Sequence, residues 1–190
     1  MTSSLTQFCD LVSNVAISSA KETQQSFFRS LPSGTEGVNP DDILKFFAFM
    51  NYTFAQGAWS SLKNAKLRRD LVVALKEDLI TKLARLLARS DSVQDTAAKA
   101  VFLSEELNDY LRQFIARMQS MGDADSRTAT LFAFESIQNE CKLDDSVMNE
   151  IVPRLMANES FGLEVESVAL QVNNVFAQRK KGFLSKLFGS

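Results

Sequence analysis

The sequence predicts an all-α protein: a single compact bundle of about seven helices followed by a short amphipathic C-terminal tail. Three observations predict it. Seven glycines and three prolines in 190 residues are too few chain breakers for the many turns of a sandwich or barrel. Apolar residues recur in steps of three and four along most of the chain. A hydrophobic content of 45% supplies enough side chains for a sizeable core. No repeat, low-complexity segment or linker divides the chain, so the bundle is assigned to residues 1–178 and the tail to 179–190.

The first helix is expected over residues 4–31, where Leu5, Phe8, Val12, Val15, Ala16, Ala20, Phe27 and Leu31 fall near a 3.6-residue period. LPSGTEGVNP, residues 31–40, holds two of the three prolines and two of the seven glycines and ends that helix. Asn39-Pro40-Asp41-Asp42 then reads as a helix start. An Asn cap accepts from free backbone N–H groups, Pro suits the first turn, and two aspartates oppose the positive end of the helix dipole.

The second helix, beginning ILKFFAFMNYTFAQGAWSSL, is apolar almost all round and is expected to be central and buried. Gly57 is read there as a point of close helix approach. A third helix at about 66–89 carries Leu67, Leu71, Leu75, Leu79, Leu83, Leu86 and Leu87 on one side. Ser92 and Asp95 stand at capping-box spacing before the fourth helix. Its Val93, Ala97, Ala100, Ser104, Leu107, Leu111, Phe114, Met118 and Met121 form a heptad seam with one polar member.

MGDADSR breaks the chain again before a fifth helix with Leu131, Phe134, Ile137 and Cys141. A sixth, SVMNEIVPRLMA, contains Pro153, where a kink or restart is expected. Asn158-Glu159-Ser160 opens a seventh, with Phe161, Val165, Val168, Val172 and Val175 on one stripe. The seams at 93–121 and 161–175 can close within one chain or between two, so a homo-oligomer stands beside a monomer.

The chain has no histidine. That removes Ser-His-Asp and Cys-His machinery, imidazole bases and the usual zinc catalytic sites. No phosphate-binding glycine loop or EF-hand spacing occurs. The carboxylate pairs Glu105-Glu106, Asp41-Asp42, Asp144-Asp145 and Glu164/Glu166 are assigned to caps and solvated faces. Cys9 and Cys141, far apart and outside any CxxC spacing, read as reduced thiols. The sequence therefore predicts no enzyme, no metal and no cofactor. With no apolar run near the roughly 20 residues of a membrane span and no basic n-region ahead of LTQFCDLV, it predicts a cytoplasmic protein, peripheral to a membrane at most. Two sequons, Asn51-Tyr52-Thr53 and Asn158-Glu159-Ser160, are accordingly read as unmodified.

Three features carry the functional expectation. Residues 63–89 hold a net charge of +5, and residues 179–190 a further +4, in a chain whose net charge is −2. The basic face comprises Lys66, Arg68, Arg69, Lys76, Lys82, Arg85 and Arg89, with Lys63 just before it. Such a stripe steers a protein towards phosphates, anionic lipid or an acidic partner. No aromatic residues interleave with it, so nucleic acid is not expected.

In RKKGFLSKLFGS, Arg179, Lys180 and Lys181 precede Phe183, Leu184, Leu187 and Phe188, which share one side of a short helix with Lys186 opposite. A segment of about two turns folds only on contact, with an anionic membrane surface or a partner's groove. Third, FFAFMNYTF places Phe46, Phe47, Phe49, Met50 and Phe54 in one helix. The expected function is that of a helical adaptor or assembly factor that binds a protein partner or an anionic membrane through its third helix and tail. The alternative is a domain that holds a fatty-acid-like ligand in a Phe-rich pocket.

Overall fold

Among the described residues the fold comprises six α-helices: α1 (Thr2–Ser30), α2 (Pro40–Ala58), α3 (Ala65–Ala88), α4 (Val93–Met121), α5 (Ser126–Cys141) and α6 (Asp145–Ala157). This computed structural model describes residues 2–58, 65–88, 92–121 and 126–157. Among the described residues there is no strand. The expected seventh helix and the tail lie outside them. The all-α bundle that the sequence predicts is the fold observed.

α1 is the hub. α2 and α3 both pack along it, α4 lies on the far side of α3, α5 on α2, and α6 on α1. The sequence explains the hub, because Phe8, Val12, Ala16, Ala20 and Phe27 are all buried on its predicted face. Small residues at 16 and 20 let α2 come close enough for Asn51 Nδ2 to donate to the Ala16 carbonyl at 2.8 Å. Asn51 is fully buried, which places the first sequon in the core. The second lies outside the described residues.

α2 is buried on nearly every side, from Ile43 through Ala55. Its start is built as the sequence requires. Asn39 Oδ1 accepts from the Asp41 amide at 3.1 Å, and the Asn39 carbonyl accepts from Ile43 at 3.3 Å. In the loop before it, Gly34 and Gly37 take φ of +88° and +80°, conformations that cost other residues steric strain. Gly57 is exposed, and a Cβ there would meet nothing within 4 Å, so no close helix approach requires a glycine at this position.

α3 buries Leu67, Leu71, Leu75, Leu79, Leu83 and Leu87. Leu86 leaves that row and is 42% exposed, because a helix turns position 86 about 100° away from 87. α4 starts with the Ser92 cap, whose Oγ accepts from the Asp95 amide at 3.3 Å. Its predicted seam is correct only in the middle. Val93 is 84% exposed and Ala97 is exposed too, whereas Leu103, Leu107 and Tyr110 are buried. The packed face is turned from the predicted stripe because α4 contacts α3 mainly, and meets α2 and α5 only at a corner. α6 runs through Pro153 without a break in its helical assignment, so the expected restart does not occur.

Candidate functional site

The seven basic positions of the third helix do not act as one face. Lys66, Arg68, Arg69 and Arg85 are exposed. Lys76 instead donates to Asn108 on α4 at 2.7 Å. Lys82 is held by Asp10 at 2.7 Å and Asp78 at 2.8 Å and donates to Ser13 Oγ at 2.7 Å. Ser13 is fully buried and also bonds Asp78. Lys82 thus ties α3 to α1 and Lys76 ties α3 to α4, so two of the predicted contact lysines hold helices together. Arg89 and the tail residues Arg179, Lys180, Lys181, Phe183, Leu184, Lys186, Leu187 and Phe188 lie outside the described residues, as does Lys63.

The five candidate pocket residues divide as well. Phe47 and Met50 are fully buried core. Phe47 meets Phe27 edge-on at 6.1 Å and Phe134 at 6.0 Å. Phe54 is partly buried against the same core. Phe46 and Phe49, in contrast, line a cavity of about 510 Å³ between α2, α4 and α5. Tyr110 and Phe132 complete its aromatic wall, with Tyr110 at 5.6 Å from Phe49 and 5.0 Å from Phe132. Four carboxylates, Glu106, Asp109, Glu135 and Glu140, share the lining, and no basic residue does among the described residues.

Behind this wall lies a charged cluster. Lys45 is 4% exposed. Its Nζ donates to Glu106 Oε1 at 2.7 Å and Asp42 Oδ1 at 3.1 Å, stands 3.9 Å from Glu140, and sits 4.8 Å from the centre of the Phe46 ring. Burial alone would push the ammonium down. Its hydrogen bond and charge interaction with Glu106, together with Asp42, outweigh that and hold it above the ordinary lysine value. Glu106 and Asp42 are therefore not merely solvated or capping carboxylates, as their sequence context implies. Each pairs with a buried cation.

Two polar atoms at this site lack partners. Glu106 Oε2 and the Tyr110 hydroxyl are shielded and have no hydrogen-bond partner among the described residues. Tyr110 is 4% exposed, and burial pushes its phenol far above the usual tyrosine range. Sequence reasoning missed Lys45 and Tyr110. Lys45 carried a signal: it is a lone cation in the apolar run Ile43–Phe49, a placement that demands paired carboxylates. Tyr110 falls one residue short of the predicted seam position Leu111, and only the helix rotation brings it inward.

A second surface feature sits on the other side of α4. Among the described residues, the large exposed apolar side chains are Leu11 on α1, Val73 and Leu86 on α3, and Val93, Val101, Phe102 and Ile115 on α4. Val73 and Val101 line an open groove of about 590 Å³ between α3 and α4, with Ile80 and Ala100 at its floor.

Cys9 is buried and Cys141 half-buried, and both are free thiols. Burial and the nearby Asp78 push Cys9 up to about 12, which removes thiolate reactivity at neutral pH. No metal-binding group of side chains occurs among the described residues, and none of their helices is long and apolar enough to cross a membrane. Compared with known families, curated proteins and solved structures, the chain has no match.

Proposed function

We propose that this chain is a non-enzymatic helical interaction protein, an adaptor or assembly factor, whose contact surface is the α3–α4 face. One observation carries the reading: six of the seven large exposed apolar residues described belong to those two adjacent helices. Scattered single apolar residues are ordinary on a surface, but two of these six, Val73 and Val101, face each other across one groove with Ile80 and Ala100, which offers a place for another chain to pack. An amphipathic partner helix would lay its apolar side over Val73 and Val101. The groove itself carries Glu77 and Glu105 beside Lys76, so the exposed Arg68, Arg69 and Arg85 elsewhere on α3 would act by steering a partner's approach and not by pairing within the groove. The tail RKKGFLSKLFGS supplies a second, weaker contact in this reading, which raises the effective concentration of the first.

The test uses full-length protein carrying a photo-crosslinking residue at Val101 or, as a control, at the exposed Gln25 of α1. The expected result is one intermolecular adduct at Val101 that is absent at Gln25 and is lost with Val73→Glu. Equal labelling at both positions, or adducts confined to the chain itself, overturns it. Flotation of the same protein with anionic vesicles, with and without residues 179–190, separates a lipid contact from a protein contact through the tail.

A further inference from the structure

We propose that the cavity between α2, α4 and α5 is a binding site for a protonated primary amine on a short alkyl arm. The evidence is independent of the α3–α4 groove. The cavity, at about 510 Å³, joins an aromatic wall to four carboxylates with no basic residue in the lining. Aromatic faces attract cations through their quadrupole, most strongly when the site is shielded from water. A fatty acid does not fit this lining, because its head group would meet four like charges.

The two orphaned atoms define the ligand further. A buried polar atom without a partner is rare and calls for one. Glu106 Oε2 can only accept, and Tyr110, 4% exposed, presents a hydroxyl with no partner. A primary ammonium has three N–H donors, enough for both. A quaternary ammonium has none and would leave both atoms unmet, so the aromatic wall alone does not describe this site. Lys45 already neutralises Glu106 through Oε1 at 2.7 Å. Asp109 pairs with Arg112, and Glu135 with Arg117 at 2.8 Å. Glu140 keeps only its 3.9 Å approach to Lys45. Lys45 is shared with Asp42 at 3.1 Å as well, so these carboxylates outnumber the cations that pair with them, an excess that a bound ammonium reduces.

The same chemistry has two sources: a free alkylamine, or a lysine side chain of the tail, where Lys180, Lys181 and Lys186 lie. The experiment titrates full-length protein with 1-aminopentane by calorimetry and follows the melting temperature, with pentan-1-ol and pentanoate as controls. A parallel arm uses the full chain with Lys180, Lys181 and Lys186 changed to Gln. Binding of the amine at about millimolar strength or tighter, with neither control acting, supports the site and a free amine. Binding only in the lysine-free arm supports the site with the tail as its occupant.

Tyr110→Phe is the deciding variant. It deletes an unpartnered hydroxyl and so keeps the fold, yet should weaken amine binding about tenfold. Glu106→Gln keeps one oxygen for Lys45 and should weaken it at least as much. The proposal is overturned by no binding in either arm, by a pentan-1-ol effect equal to that of the amine, or by Tyr110→Phe binding as tightly as the parent.

Discussion

α2 presents two aromatic sides that look alike in the sequence and behave differently in the fold. On one, Phe47 lies between Phe27 of α1 and Phe134 of α5, fully buried, with ring edges meeting ring faces. On the other, Phe46 and Phe49 meet Tyr110 of α4 and share their space with Lys45 and Glu106. The first side is closed by apolar neighbours on both flanks. The second is met by a helix that brings a phenol and a carboxylate, and it stays open as a cavity. Burial does not separate the two, since Phe49 is as fully buried as Phe47. Charge does: the buried Lys45 and its partner Glu106 stand on the second side, whereas the rings that meet Phe47 are those of Phe27 and Phe134. One side holds the bundle together, and the other is where the proposed amine would bind.

The largest expected effect tests the closed side. Phe47→Ala removes a fully buried ring with no room for collapse between two other aromatics, a loss of about 3–5 kcal/mol. Phe46→Ala, from a partly buried ring on the cavity wall, should cost roughly half of that. Urea denaturation of the two variants measures both. Equal losses would break the comparison, because they would make the cavity wall as tightly packed as the core.

The next effect concerns the charged cluster on the open side. Lys45→Met strands Asp42, Glu106 and Glu140 near one another. Removing one member of a buried ion pair costs about 3–5 kcal/mol. Here Glu106 and Asp42 keep 24% and 26% of their side-chain exposure, so about 2–3 kcal/mol is expected once solvent screening is allowed for. The same cluster should respond to pH. Lys45 is raised above the ordinary lysine value of 10.5 in the folded chain, against the downward pull of burial. The folded state therefore holds that proton more tightly than the unfolded state. Its contribution is complete below 10.5 and is lost as pH rises through the raised value. Cys9 and Tyr52, both pushed up to about 12, chiefly by burial, act in the same direction. Stability should thus hold to about pH 9 and fall steadily above it. Lys45→Met should flatten part of that fall, as denaturation curves taken across the alkaline range would show.

These contrasts also mark how much was legible in the sequence. α2 as the buried centre, the leucine row of α3 and the caps at Asn39 and Ser92 follow from local pattern and local chemistry, and all are found. Tyr110 and Glu106 do not follow. Whether a helix position faces inward depends on the helix's rotation about its own axis, and α4 is rotated by the single neighbour that carries most of its packing, α3. A stripe computed for a symmetric seam therefore misplaces Val93, Ala97 and Tyr110 together. The basic stripe loses two of its members, Lys76 and Lys82, for another reason. Composition counts charges but not partners: Lys76 and Lys82 reach Asn108 and Asp10 on helices far away in sequence, and Lys82 also pairs with Asp78 one turn back on α3.

A smaller effect belongs to the entry of α2, which sets the register of both its sides. Asn39→Ala deletes the side-chain acceptor of the Asp41 amide at 3.1 Å and the 2.9 Å bond to Asp42. A loss of about 1 kcal/mol is expected. Since Asp42 also holds Lys45, the loss should be smaller in a Lys45→Met background. A double-mutant cycle measures that coupling, and strict additivity would detach the cap from the charged cluster.

The smallest effect acts on both sides at once, through α5. That helix gives Phe134 to the closed side and Phe132 to the cavity, and it ends in a left-handed cap. Lys142 takes φ of 52°, and the Leu143 amide donates back to the Gln138 carbonyl at 3.0 Å. This is the Schellman arrangement, in which glycine is the usual occupant because a Cβ is strained there. Leu143 is buried just beyond it, the apolar contact that accompanies the motif. Lys142→Gly relieves the strain but frees the unfolded backbone, so the net gain should be about 0.5–1 kcal/mol. A tightened α5 should raise the melting temperature by a few degrees in the parent and in Phe46→Ala alike. If the gain disappears in Phe47→Ala but persists in Phe46→Ala, α5 is anchored through its closed side alone, and the cavity wall is free to adjust to what it binds.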